Sequence, residues 1–342
     1  MPKARPSDKV AILSPSFAAP AVAPAIHEQA MHRLAAATGL QPVEYPTTRK
    51  LGASPVERAA DVNTAFADPT VRAILTTIGG ADQITVVPHL EADVVLADPK
   101  PFLGYSDNIN ILNWLWTHGV PGFHGGSTQV QLGPGPDIDM IHERSLRAAL
   151  LTGELLEITE PGESQDIGLD WDDPRALREH GPRERTEPWT WAGPRAKVTG
   201  RTWGGCVEVL QWLLTAGRFP LDPTVVDGGV LLLETSEELI PAREFAWIVR
   251  SLGERGILEA VSAVLVARPP TMDFVHQPPA AERRAKRDEQ RDAAIDAVGR
   301  YNSQAVVVVG PPFGHTRPQW IIPYGGHMTV DGVHRRIFAD YR

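Results

Sequence analysis

The sequence predicts an α/β protein built on a parallel sheet with helices on both faces. Short β-rich runs alternate with helical patterns through the first third of the chain: "VAILSPS" at 10–16, an alanine-rich helix around 25–38, "VRAILTTIGG" at 71–80, and "PFLGYSD" at 101–107 followed by a helix. Three further apolar runs, at 228–235, 257–269 and 304–315, are separated by helical patterns at 241–254 and 281–300. Length gives the third indication. A chain of 342 residues exceeds the roughly 250–300 residues at which a single core stops growing, so two domains are expected.

Taken in order, residues 1–155 hold the first set of βα units, with "GVPGFHGG" at 119–126 as their last strand and turn. From about 156 to 200 the chain is rich in Pro, Gly, Trp and charge ("DWDDPRALREHGPRERTEPWTWAGP"), a poor helix and a poor strand. This stretch is expected to be a long ordered loop, of the kind that forms lids and binding loops. Residues 201–342 form the second unit, and its tail, "WIIPYGGHMTVDGVHRRIFAD", alternates and turns like a terminal hairpin.

The formal net charge of −9 argues against a nucleic-acid partner, which needs a surplus of Lys and Arg on some face. The one basic run, "ERRAKRDEQR" at 282–291, is interleaved with acids and reads as a solvated helix face. A single cysteine, Cys206, excludes an intrachain disulfide and a thiolate zinc cluster, and fits a reducing, cytoplasmic home. The first residues hold only a five-residue apolar stretch, too short for a signal-peptide core. No window reaches the roughly 18 apolar residues of a membrane span.

In open α/β sheets ligands bind beyond the carboxyl ends of the strands, where Gly79–Gly80 and Ser106 both fall. Ser106 stands between an apolar run and a helical pattern. There it is either a helix N-cap or a nucleophile pushed into a cleft by a sharp turn. A serine hydroxyl needs a base to take its proton and a third group to orient that base. His27 and His32 fall on a surface helix and His180 in a charged loop, which leaves His315, after "VVVVGPPFG", and His124, in "GFHGG". Either ring serves equally well as a turn histidine bonding backbone carbonyls. Glu234 ends the apolar run of Val230 to Leu233, and a carboxylate directly after a buried strand is costly unless paired. Its ordinary reading is a capping acid. Asp107, adjacent to Ser106, is placed to fix the turn. Its N–H, together with "TIGG" at 77–80, could supply donors to a developing oxyanion. No G-x-G-x-x-G and no P-loop is present.

Three segments together resemble one family, the serine peptidases that include the LD-carboxypeptidases and the microcin C immunity proteins. The G-[FY]-S-D turn is matched by Gly104-Tyr105-Ser106-Asp107, the glutamate after an apolar strand by "LLLET" with Glu234, and the G-H-x-x-P turn by His315 and Pro318. "TTIGG", "FHGG" and "GRTWGGCVEVLQWLL" extend the likeness over about residues 8 to 330. The resemblance implies a flavodoxin-like, class I amidotransferase-like N-terminal domain, a smaller β-rich C-terminal domain, and commonly a homodimer. It further implies Ser106 as nucleophile, His315 as general base and then acid, Glu234 as the group orienting it, and the N–H groups of Asp107 and Gly80 as the oxyanion hole, with no cofactor and no metal.

Two branches of that family differ in substrate: one trims D-alanine from murein tetrapeptides, the other cleaves an aminoacyl group from an adenylate. "TTIGGAD" and the tryptophan-bearing loop look more like the immunity branch. An indole offers a face for a purine, and Trp171, Trp189 and Trp191 are the candidates, each of which would equally anchor an irregular loop. The competing classes are a non-catalytic binder of peptides or nucleotides and an amidotransferase-like enzyme. The latter requires a cysteine in the turn, where Cys206 does not fall. Position 108 is Asn, not the Gly of the G-x-S-x-G elbow. A metallohydrolase finds no H-E-x-x-H.

Overall fold

The computed structural model describes residues 2–218 and 222–342. In chain order the first strands are β1 (Lys9–Leu13), β2 (Gln41–Glu44), β3 (Val71–Thr76), β4 (Phe102–Gly104) and β5 (Gly122–His124). Between and after them run the helices α1 (Pro24–Thr38), α2 (Pro55–Ala67), α3 (Ala92–Ala97), α4 (Ile109–Thr117) and α5 (Met140–Arg147). β1 to β5 are mutually parallel in the order β2-β1-β3-β4-β5. Local signals set the helix boundaries: α2 opens on a capping box in which Ser54 and Glu57 satisfy each other's backbone N–H, with Pro55 in its first turn.

The later strands are β6 (Leu155–Ile158), the two-residue β7 (Glu163–Ser164) and β8 (Glu184–Arg185), β9 (Thr190–Ala192), β10 (Lys197–Cys206), β11 (Val230–Glu234), β12 (Ala263–Val266), β13 (Val306–Val309), β14 (Ile322–Tyr324), β15 (His327–Asp331) and β16 (Arg336–Asp340). With them come α6 (Val207–Thr215), α7 (Ala242–Glu254), α8 (Ile257–Ala260) and α9 (Ala280–Tyr301). A second sheet has the order β6-β16-β15-β10-β11-β12-β13-β9, parallel from β10 to β13 and antiparallel at both flanks.

Three expectations need amendment. The terminal segment does form the β15–β16 hairpin, but β14 leaves it to pair antiparallel with β5 at the edge of the first sheet. Residues 156–200 are not wholly irregular, since β9 pairs with β13 through Trp191 opposite Val308. His27 is fully buried in α1, with Nε2 3.3 Å from Glu44 Oε1. A polar ring reads as a surface residue until the fold brings an acid from β2 against it.

Side chains alternate along each strand, as the pleat demands, and feed two core clusters. Ala11 and Leu13 of β1, Phe66 of α2 and Ile109 of α4 share one cluster with Leu231 and Leu233 of β11 and Phe245 of α7. Val10 and Ile12 of β1 and Leu34 of α1 share the other with Val230 and Leu232 of β11 and Val308 of β13. Each cluster therefore runs across both sheets.

Lys100, at the entrance to β4, is fully buried, and its ammonium donates to the carbonyls of Ala65 (3.1 Å), Phe66 (2.5 Å) and Asp68 (2.7 Å). A lysine thus closes the carboxyl end of α2, whose last carbonyls lack intrahelical partners. Lys100→Met is expected to lower unfolding free energy by about 2–3 kcal/mol in chemical denaturation, because it strands these acceptors in the core.

Candidate active site

β4 ends at Gly104, and the chain turns through Tyr105 and Ser106 into α4. Ser106 has φ +60, a conformation sparsely used by residues with a side chain. A buried polar network holds this turn. The Asp107 carboxylate accepts from Ser16 Oγ (2.5 Å), Gln83 N (2.9 Å) and Asn110 Nδ2 (2.8 Å). Asn108 Nδ2 donates to the carbonyls of Ile78 and Tyr105, both at 3.0 Å, and Asn108 Oδ1 accepts from Gln83 Nε2 at 2.7 Å. Burial pushes the Asp107 carboxyl up, against those hydrogen bonds. The "TIGG" turn closes on the serine: a Cβ at Gly79 would lie 2.8 Å from both Cβ and Oγ of Ser106 and 3.2 Å from Asp107 N. Only glycine admits Ser106 there, and the space it leaves lies beside the Asp107 amide.

His315 follows β13 in the turn Pro311-Pro312-Phe313-Gly314. Its Nδ1 donates to Glu234 Oε2 at 2.6 Å, and the Glu234 side chain is completely buried at the end of β11. Gly314 makes that approach possible, since a Cβ on it would fall 2.9 Å from Glu234 Cβ. The other carboxylate oxygen, Oε1, lies 3.7 Å from His124 Nε2 at the end of β5, an electrostatic contact and too long for a hydrogen bond. Tyr105 packs edge-on against the His315 ring, centroids 5.0 Å apart, and its hydroxyl accepts from Gln131 Nε2. Burial alone would push the Glu234 carboxyl up, but His315 and His124 outweigh it and hold it at about 2. Burial would likewise push His315 down, but Glu234 and then Glu237 hold the imidazolium, at about 9.

Ser106, Gly79, Gly80 and His315 line one cleft of 540 Å³, whose other walls include Phe17, Trp171, Glu237 and Phe274. Of the three tryptophans singled out in the sequence, Trp171 alone lines it. Trp189 and Trp191 pack half-buried against the second core cluster beside β13, because β9 turns their segment into sheet edge. Cys206 is buried at the end of β10, opposite Glu234 in register, and donates to Glu208 Oε2 at 3.1 Å. Burial, then the Glu234 and Glu208 carboxylates, push its thiol well above the usual value, the reverse of what a thiolate nucleophile needs. No group of three or more metal-ligating side chains occurs among the described residues.

Residues 165–171 reach the cleft because charge pins them. Asp166 is held by Arg268 (2.5 Å) and Arg287 (3.4 Å), and accepts from Thr271 N and Oγ1 at 2.8 and 2.7 Å. Backbone bonds join Gln165 to Arg317 in both directions. The basic run at 282–291 is therefore not wholly a solvated face: Arg283 and Arg287 turn inward to Glu184, and Arg287 also to Glu187. The interleaved charge of the run carries no sign of that, because the partners lie about a hundred residues away. Glu237, 3.4 Å from His315, is a similar case, whereas His124, one of the two histidines singled out in the sequence, stands against Glu234.

A strained serine beside a glycine turn, with a carboxylate-held imidazole in the same cleft, can perform acyl transfer. These are the groups of a serine-type hydrolase, with Glu234 and His315 joined and His315 Nε2 making no hydrogen bond to Ser106. Residues 10–125 match the N-terminal domain of the LD-carboxypeptidases and residues 199–330 their C-terminal domain, so the chain belongs to this family of serine-type peptidases. A Vibrio cholerae relative named as a carboxypeptidase is 27% identical over 332 residues, covering 95% of this chain and 92% of its own. The Escherichia coli microcin C7 self-immunity protein MccF is 24% identical over 286 residues, 82% and 77% of the two chains. An MccF-like protein from Streptococcus pneumoniae, solved with AMP, superposes with a TM-score of 0.82 at 25% identity over 98% of this chain and 99% of its own. Among the described residues no helix is long and apolar enough to cross a membrane.

The ion pair fixes a pH window. Glu234 sits below its usual 4.5, so its contribution is present above 4.5 and lost as pH falls towards 2. His315 sits above 6.5, so its contribution is present below 6.5 and lost as pH rises through 9. The stability difference between wild type and Glu234→Gln is expected to be largest between these ordinary values, 4.5 and 6.5, and to shrink on either side. Denaturation across pH checks this. A difference independent of pH would contradict the pairing.

Proposed function

We propose that the protein is a serine-type amide hydrolase in which Ser106 attacks the carbonyl, His315 takes and returns the proton, and Glu234 orients the imidazole. The N–H groups of Asp107 and Gly80 stabilise the oxyanion. The observation that carries this reading is the 2.6 Å bond from His315 Nδ1 to the buried Glu234 carboxylate, in the same cleft as the positive-φ serine. A buried carboxylate on Nδ1 leaves Nε2 as the nitrogen that exchanges protons, the tautomer logic of a triad. The strand order β2-β1-β3-β4-β5 supports a flavodoxin-like N-terminal unit up to about residue 155, with its reactive turn at strand carboxyl ends. Glu234 and His315 then come from the second unit, beyond the loop at 156–200.

For substrate we favour an aminoacyl or peptidyl conjugate of an adenylate over a murein tetrapeptide. Trp171 and Phe17 give the cleft aromatic faces suited to a nucleobase, and the streptococcal relative is bound to AMP. A homodimer and a cytoplasmic, detoxifying role belong to the same reading.

Ser106→Ala is expected to keep the melting temperature of the wild type and to lose at least about a thousandfold in kcat. The assay gives both proteins an aminoacyl-sulfamoyl adenosine and a murein tetrapeptide in parallel. Serine-dependent cleavage of the first supports the proposal, serine-dependent release of D-alanine moves the protein to cell-wall chemistry, and wild-type rates in the variant would falsify the mechanism.

A further inference from the structure

The charges lining the cleft do not balance. Asp166 is held by Arg268 and Arg287, and Arg317 by Asp139. What remains is His315 with two carboxylates, Glu237 and Asp170. Among the described residues Asp170 has no cationic side chain within ion-pair distance, and the partner of Glu237 is His315 Nε2, at 3.4 Å. That contact is an ion pair without hydrogen-bond alignment. His315 Nε2 is buried, finds no hydrogen-bond partner, and belongs to a side chain only 8% exposed, while the Glu237 side chain is 67% exposed. One ring nitrogen is thus fully engaged by Glu234. The other points into the cleft with a loosely held acid over it.

The surroundings of the ring come from several elements: Glu234 ends β11, Glu208 lies on α6 and Tyr105 follows β4, while Cys206 at the end of β10 bonds Glu208 and His124 at the end of β5 stands against Glu234. Two of these groups, Glu234 and Glu208, are carboxylates. With Glu237 added, they favour the imidazolium, which cannot accept a proton from serine. Glu234 is the larger influence and stays in place, so a group that draws Glu237 away weakens the hold on the Nε2 proton.

We propose that Glu237 is a specificity-determining residue: it leaves His315 to pair with an ammonium group that the substrate carries next to its scissile carbonyl, as an aminoacyl α-amine does. The inference rests on the serine-hydrolase reading above. In the exchange the carboxylate moves from imidazolium to ammonium, the imidazolium gives its Nε2 proton to solvent, and Nε2 is then free to accept from Ser106 Oγ. A substrate whose amine is acylated offers no cation, leaves Glu237 where it is, and reacts slowly. The device therefore narrows the aminoacyl or peptidyl conjugates proposed above to those with a free aminoacyl amine, against N-blocked and peptidyl ones.

The test compares leucyl-sulfamoyl adenosine with its Nα-acetyl counterpart in the wild type, Ser106→Ala and Glu237→Gln. In the wild type kcat/KM is expected to favour the free amine by at least about tenfold. In Glu237→Gln that preference should fall to about twofold, and the acid limb of the pH profile on the acetylated compound should move to lower pH, a shift that mere structural damage would not produce. Serine-dependent turnover with equal rates on the two compounds, or a preference unchanged in Glu237→Gln, overturns the proposal while leaving the hydrolase reading intact. Absence of serine-dependent turnover on both compounds and on a murein tetrapeptide overturns that reading and this inference together.

Discussion

The contact between Glu234 and His315 is the constraint around which the rest of the molecule is arranged. A carboxylate with no exposed surface is tolerated only when a cation and hydrogen bonds compensate it, and here the cation arrives from another strand end through a turn that closes on Glu234. β11 brings the acid and β13 the histidine. They are separated only by β12 in a parallel run, so both side chains leave the same end of the sheet. The first sheet contributes the serine turn, and His124 from that sheet stands against the far oxygen of the same carboxylate. The candidate site is thus closed from both sides by groups that pay for one buried charge.

The serine turn is rigid for a related reason. Asp107 is adjacent to Ser106 but turns away from the cleft, into Ser16, Gln83 and Asn110. Read along the chain, an acid next to a serine is placed to fix the turn, and the structure gives it that part. In three dimensions it anchors the backbone of the turn from behind. Preorganised amides need no reorganisation when charge develops, which is the use the proposed oxyanion role of Asp107 would make of so fixed a turn.

Much of this was legible in the sequence. Strand runs such as "VRAIL" and "GVLLLE" announce themselves through apolar content, and Ser106, Glu234 and His315 each stand where such a run stops, which is where open sheets expose chemistry. Less legible was anything that depends on a partner far along the chain. Arg287 looks solvated among its neighbours, yet it meets Asp166 and Glu187 about a hundred residues upstream. His27 looks like a surface residue until β2 supplies Glu44. The tryptophans of the 170–191 segment read alike as cleft candidates, but a three-residue strand carries Trp191 to the sheet edge and leaves Trp171 at the cleft. Local composition cannot distinguish them, because the deciding event is a pairing with β13.

The two core clusters each draw residues from both sheets, and this bears on how a substrate gets in. Two bodies with separate cores can swing apart about a hinge, since their interface is small and polar. Here such a swing would tear the packing of α4 on α6 and β10 and that of β14 on β10, β15 and β16 at once. Entry and exit are therefore matters for the rim: the segment carrying Trp171, pinned by Asp166, and the exposed Phe274 opposite it. Access to the cleft in such a molecule falls to a few side chains, with the two shared cores fixing the walls beneath them.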